Sequence, residues 1–161
     1  MKKSFILLGV FLITGCSQPK KEESNKESGT NELPPLMMTM MTGEKVMASS
    51  LPGNTILVFF SPDCDHCQRE AQAIQGKLAA FKKYKLYFSA PSLPTGDIQQ
   101  FAEKYLLNGY PNVLFAKADI PEVIRIFGPM STPSFFIYSS EKRLVKKFDG
   151  ETKVEEILKF L

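Results

Sequence analysis

The chain is 161 residues long, 43% hydrophobic and 23% charged, with a formal net charge of +3. That length fits one domain with a sizeable core. The charge is about +1 once Lys2 and Lys3 are set aside with a removable leader, too weak to indicate a nucleic-acid partner or an acidic surface. Cys16, Cys64 and Cys67 are too few for a framework of disulfide bridges.

The amino terminus reads as an address. Met1-Lys2-Lys3 is a positive start, and Phe5 to Ile13 is an apolar run too short for a transmembrane helix, which needs about 20 residues. Ile13-Thr14-Gly15-Cys16 resembles the lipobox of bacterial lipoproteins, in which the cysteine becomes the lipidated first residue. That resemblance implies a signal peptide over residues 1–15, lipid attachment at Cys16 and a periplasm-facing anchor in the cell envelope. Ser17 after the cysteine, where Asp is absent, favours the outer membrane over the inner. Several acyl chains, at about 0.8 kcal/mol per buried methylene, would hold such an anchor permanently. The alternative is an ordinary secretory signal or a membrane-buried helix with an incidental cysteine. Ser17 to Glu32 is polar and charged without an apolar stripe, so residues 16–32 are expected to be a lipidated cysteine and flexible tether.

Residues 33–161 carry the domain. Leu36 to Met41, a turn at Thr42-Gly43-Glu44-Lys45 and Val46-Met47 predict a leading hairpin. Its methionines, Met37, Met38, Met40, Met41 and Met47, are soft thioether ligands on one reading and fillers of irregular apolar gaps on the preferred one. The apolar run Ile56 to Phe60 predicts a buried strand ended by Ser61-Pro62-Asp63. Ala71, Ile74, Leu78 and Phe81 then follow helical spacing. Lys85 to Ala90 is the next strand, and a helix capped by Asp97 follows with Ile98, Phe101, Ala102, Tyr105 and Leu106 on one face. Asn112 to Ala116 predicts a strand, and Asp119 a short helix with Ile120, Val123, Ile124 and Phe127 as its apolar face. Phe135 to Tyr138, Leu144 to Phe148 and a last helix with Val154, Ile157, Leu158 and Leu161 complete an α/β order with a mixed sheet flanked by helices.

Between the first buried strand and its helix stands Cys64-Asp65-His66-Cys67, which holds the chain's one histidine. A dithiol at a helix start suits thiol chemistry, because unpaired N–H groups and the helix dipole stabilise a thiolate. Cys64 is expected to ionise first, as nucleophile; Cys67, one turn on and more buried, resolves the mixed disulfide. His66 would favour the Cys64 thiolate, whereas Asp63 and Asp65 oppose it. Glu70 is equally readable as a proton-transfer group for Cys67 and as a solvated helix residue.

These residues resemble the thioredoxin superfamily, and within it the TlpA-like thiol–disulfide proteins of the envelope. The resemblance rests on Phe59 to Cys67, on Glu70, on Thr132-Pro133-Ser134-Phe135 ahead of a strand, and on Gly150 before the last helix. It implies a thioredoxin-like fold with an N-terminal hairpin and an inserted strand–helix pair over Lys85 to Leu107. It also implies thiol–disulfide exchange with protein dithiols and disulfides, a redox partner protein, and no cofactor or metal beyond the Cys64–Cys67 disulfide. Thr132-Pro133 would be the family's cis-proline loop, pairing with an extended substrate segment. A monomer is expected. Two departures count against a general reductase: thioredoxin keeps a buried Asp six residues before its first cysteine, where this chain has Val58, and Asp63 replaces the common Trp.

Three other readings remain. The cysteines could be a structural pair, or could join His66 as soft ligands of a metal. The third is a lipid-anchored thioredoxin-fold protein that binds partners with little redox turnover.

Overall fold

Gly43, at φ +86°, closes the first hairpin, a left-handed position that favours glycine. It joins β1 (Met37–Met40) to β2 (Lys45–Met47). The computed structural model describes residues 31–91 and 93–161. The expected signal peptide, Cys16 and most of the tether lie outside the described residues. Asn31 and Glu32 already touch the domain: the Leu144 N–H donates to the Asn31 carbonyl at 2.8 Å, and Glu32 pairs with Arg143.

β3 (Thr55–Phe59) is buried along its whole length and is followed by α1 (Asp65–Gln75). The helical pattern through Phe81 is not one helix. Gly76 ends α1, and Leu78 and Phe81 reach the core from a separate 3-10 turn. β4 (Lys85–Ala90), α2 (Thr95–Lys104), β5 (Val113–Ala118) and α3 (Ile120–Phe127) come next. β6 (Ser134–Tyr138), β7 (Leu144–Asp149) and α4 (Val154–Leu158) finish the chain.

The seven strands form one sheet in the order β2-β1-β5-β4-β3-β6-β7. β3, β4 and β5 are parallel, and the outer pairs are antiparallel, so the sheet is mixed. Alternation along β3 splits the core. Ile56 and Val58 face α1, α2 and α4; Leu57 and Phe59 face α3 and the hairpin. Both faces are covered, which is why the central strands read as continuous apolar runs.

Two helix details differ from expectation. Asp97 sits in the first turn of α2 without capping it; Pro94 occupies the cap position and accepts the Asp97 N–H at 3.2 Å. The chain leaves α2 through Leu106 at φ +53°, which turns Leu106 outward, 63% exposed, and sends Leu107 into the core in its place. The methionines of the hairpin do not converge: Met38 is fully buried on the α3 side, Met41 packs toward the other core and Met37 is exposed.

Candidate functional site

Register assembles the site from three distant stretches. Phe59 pairs with Ser134, so Thr132 and Pro133 arrive beside the turn that leaves β3. Ser134 also pairs with Asp149, and the Gly150 N–H donates to the Pro133 carbonyl at 2.9 Å. Residues 149–152 are thereby brought to the same end of the sheet. This is the carboxyl end of the parallel strands, where open α/β sheets place their sites.

Cys64 is the cap residue of α1, with extended backbone angles, and its sulfur accepts the Cys67 N–H at 3.4 Å. The Cys64 thiol also donates to the Thr132 carbonyl at 3.5 Å, and the Thr132–Pro133 bond is cis. Cys64 is partly exposed and Cys67 is 2% exposed; both are free thiols. Burial pushes the Cys64 thiol up, but hydrogen bonds from Cys67, from the Thr132 hydroxyl and from the His66 N–H outweigh it and leave Cys64 below the ordinary thiol range. Burial, reinforced by the hydrogen bond and charge of Cys64, pushes Cys67 up to about 12. Of the two sulfurs, the exposed one at the helix start ionises first.

Behind the pair, Glu70 lies one helical turn beyond Cys67 and is only 3% exposed. Its Oε2 accepts the Thr152 N–H at 3.1 Å, and its Oε1 is buried without a partner among the described residues. Burial lifts this carboxyl to about 7, the Thr152 N–H opposing and the Glu151 charge adding to the rise. Glu70 is therefore not a solvated helix residue. Val58, where thioredoxin keeps its acid, packs against α1 in the core, so the buried carboxylate comes from the helix and not from the strand. Glu70 also lines a cleft of about 570 Å³ between α1 and the loop into α4.

The two flanks of the dithiol differ. On the α4 flank the Arg69 guanidinium clamps Glu151, Nε to Oε1 at 2.8 Å and Nη2 to Oε2 at 2.7 Å. His66 Nδ1 meets both the Glu151 carboxylate and Arg69 Nη2, and the imidazole is 60% exposed. Arg69 and then His66 hold Glu151 down to about 2. On the α3 flank a groove of about 270 Å³ runs from Thr132 over Phe59, Ala90, Ile124 and Met130. The Ser89 hydroxyl, buried and without a hydrogen-bond partner among the described residues, belongs to the same lining.

Sequence reasoning found Cys64, Asp65, His66, Cys67, Glu70, Thr132 and Pro133, and the fold brings all of them to this end of the sheet. It missed Arg69 and Glu151, because the partners lie 82 residues apart with no local pattern. It named Ile120 and Ile124 on the apolar face of the short helix, and that part of the face is 49% and 47% exposed along the groove. The apolar face of this eight-residue helix is continuous, and only its Ile126 and Phe127 side is covered by the core. Among the described residues no group of three or more His, Cys, Asp or Glu side chains is arranged to hold a metal ion. No helix there is long and apolar enough to cross a membrane.

This arrangement defines a thioredoxin-like fold. No family model and no curated protein matches the sequence. Solved structures do, at the level of the fold. A secreted Mycobacterium tuberculosis disulfide oxidoreductase, homologous to E. coli DsbE, is similar with a TM-score of 0.65 and 19% identity, over 78% of this chain and 92% of that one. A thioredoxin-like protein from Aeropyrum pernix matches with TM-score 0.62 and 15% identity, over 79% and 89% of the two chains. Arabidopsis thaliana ScoI, solved with copper bound, matches with TM-score 0.62 and 15% identity, over 78% and 92%.

Proposed function

We propose that the chain is a thiol–disulfide oxidoreductase that exchanges electrons with partner proteins through Cys64 and Cys67. The observation that carries this reading is the asymmetry of the pair. One sulfur is accessible, N-capping a helix and facing Thr132; the other is sealed behind it.

In the reducing direction the Cys64 thiolate attacks a partner disulfide, forms a mixed disulfide and expels one partner thiolate. Cys67 then gives its proton to the Glu70 carboxylate and attacks the Cys64 sulfur. That closes the Cys64–Cys67 disulfide and releases the second partner thiolate. Two electrons pass to the partner, and the reverse sequence oxidises a partner dithiol. Glu70 suits this transfer because its pKa lies near neutrality, so it accepts and returns a proton with little cost either way. Its cleft supplies exchange with solvent. Thr132 would pair its backbone with an extended partner segment, and the α3 groove would take an apolar side chain beside the partner cysteine. Beyond its own disulfide the chemistry calls for no cofactor.

The same reading places the protein in the bacterial envelope as a monomer, held on the membrane by lipidated Cys16. Support for that placement is the leader pattern of residues 1–16. The test of the chemistry is insulin reduction and refolding of scrambled protein, with Cys64→Ser in parallel. Activity retained by that variant would sink the reading. A Cys67→Ala variant should accumulate mixed disulfides with its partners.

A further inference from the structure

The charged cluster on the α4 flank is built around one acid. Glu151 accepts two hydrogen bonds from Arg69 and meets His66 Nδ1, and Arg69 Nη2 approaches that same nitrogen at 2.7 Å. A single ring nitrogen cannot accept from Arg69 and donate to Glu151 at once. An imidazole protonated only on Nε2 accepts from Arg69, and one protonated on Nδ1 donates to Glu151. In either state Nδ1 is engaged by this cluster.

We propose that Glu151 is a positioning residue: it ties up the His66 imidazole and the Arg69 guanidinium, so that neither is available to the Cys64 thiolate, and thereby restrains the oxidising strength of the dithiol. The proposal deepens the reading of Cys64 as the reactive thiol and rests on it. Geometry supplies the reasons. His66 is two residues from Cys64 and Arg69 five, on the first turns of the same helix. Glu151 comes from the loop between β7 and α4, packed beside α1, and is fixed because Gly150 is bonded to Pro133 and Thr152 to Glu70.

The charge balance gives the sign. With Glu151 ionised, one negative charge offsets Arg69 beside the dithiol. Replacing it with the neutral isostere adds a net positive charge to the neighbourhood and frees His66 to turn toward the sulfur. Both effects favour the thiolate. A favoured thiolate stabilises the reduced dithiol, so the disulfide takes two electrons more readily from a partner dithiol. The other charged groups facing the cluster stay in place in every variant: Asp65 and Glu70 on the α1 side, and Lys77, Lys153 and Glu155 around the cleft.

The experiment is a pH titration of thiolate ultraviolet absorbance on the reduced protein, paired with redox equilibrium against glutathione. It is run for the wild type, Glu151→Gln, His66→Asn and the double variant. Glu151→Gln should lower the Cys64 midpoint by about half a pH unit or more, roughly threefold more thiolate below the midpoint, with the glutathione equilibrium moving the same way. His66→Asn should change little alone and remove at least half of the shift in the Glu151→Gln background. An unchanged midpoint in Glu151→Gln overturns the proposal, and so does a shift that persists in full without His66. A purely structural role for Glu151 would move neither the midpoint nor its dependence on His66. The titration needs no turnover. A chain that titrates as expected but never exchanges with glutathione would defeat the redox reading while leaving the effect of Glu151 measured.

Discussion

The two flanks of the dithiol are made of opposite materials. Toward α3 the wall is apolar and open, from Phe59 and Ile124 to Met130, with Thr132 at its inner end. Toward α4 it is ionic outside and acidic within, Arg69, His66 and Glu151 over buried Glu70. An apolar open wall gains by burying a partner's surface and is indifferent to protons. A wall of titratable groups does the reverse, responding to protons and to nearby charge. Recognition and proton handling can therefore be perturbed separately, one flank at a time.

The largest effect removes what both flanks serve. Cys64→Ser should abolish disulfide exchange, because Cys67, held near 12 and 2% exposed, cannot substitute as nucleophile at neutral pH. Next comes the acidic interior. Glu70→Gln removes the base for Cys67, and loss of a positioned base costs about a hundredfold. The readout is single-turnover release of the mixed disulfide. In the wild type that step should rise with pH through about 7, as the Glu70 carboxylate forms, and in Glu70→Gln the inflection should vanish.

The same variant carries a stability signature of defined sign. Burial raises the Glu70 pKa in the folded state to about 7 from the ordinary 4.5, so folding favours the protonated acid. Its contribution is fully present below about 4.5 and is lost as pH rises through about 7. Chemical denaturation should show the wild type losing stability across that window. Glu70→Gln should flatten the slope and be more stable at pH 8 by about 1–2 kcal/mol. A wild-type slope of the opposite sign would contradict the burial of an unsatisfied Glu70 carboxylate.

The apolar flank should answer differently. Ile124→Ser, on the exposed rim of the groove, removes apolar contact with a partner but touches neither sulfur. An apolar side chain that is half buried by a partner is worth about 1 kcal/mol, so exchange with a protein substrate should weaken several-fold in KM. Exchange with glutathione and the pH profile should not move. Equal losses with both substrates would erase the distinction between the flanks.

How far the sequence foretold this division follows from the range of each interaction. The dithiol and its helix were legible because a strand, a turn and a helix start are local in sequence, as in Ile56 to Cys67. The apolar central strands were legible because both sheet faces are covered. On the α4 flank His66 and Glu70 were legible beside the dithiol, but the Arg69–Glu151 pair was not, since the two meet only after β6 and β7 pair in register. The exposure of Ile124 was not legible for a related reason. Apolar periodicity marks a face that avoids water, and a groove awaiting a partner has the same periodicity as a core. Leu106 failed through backbone geometry, since its left-handed φ exchanged it with Leu107 and hydrophobicity carries no sign of that turn.

The smallest expected effect tests whether α2 belongs to either flank. The Tyr105 hydroxyl donates to Gln68 Oε1 at 3.0 Å, and Gln68 Nε2 donates to the Pro62 carbonyl at 2.9 Å, bracing the turn before Cys64 from the end of α2. Tyr105→Phe keeps the ring, which packs on Phe101 with centroids 4.8 Å apart, and deletes only the hydroxyl. One hydrogen bond of this kind contributes about 1 kcal/mol to stability, seen as a small fall in the denaturation midpoint. Gln68 keeps its bond to Pro62, so the turn stays braced from α1, and exchange with both glutathione and protein substrates should change less than about twofold. A larger loss confined to protein substrates would extend the recognition flank to α2. A shift in the pH profile would instead join α2 to the proton-handling side, and with it the clean separation of the two walls would fail.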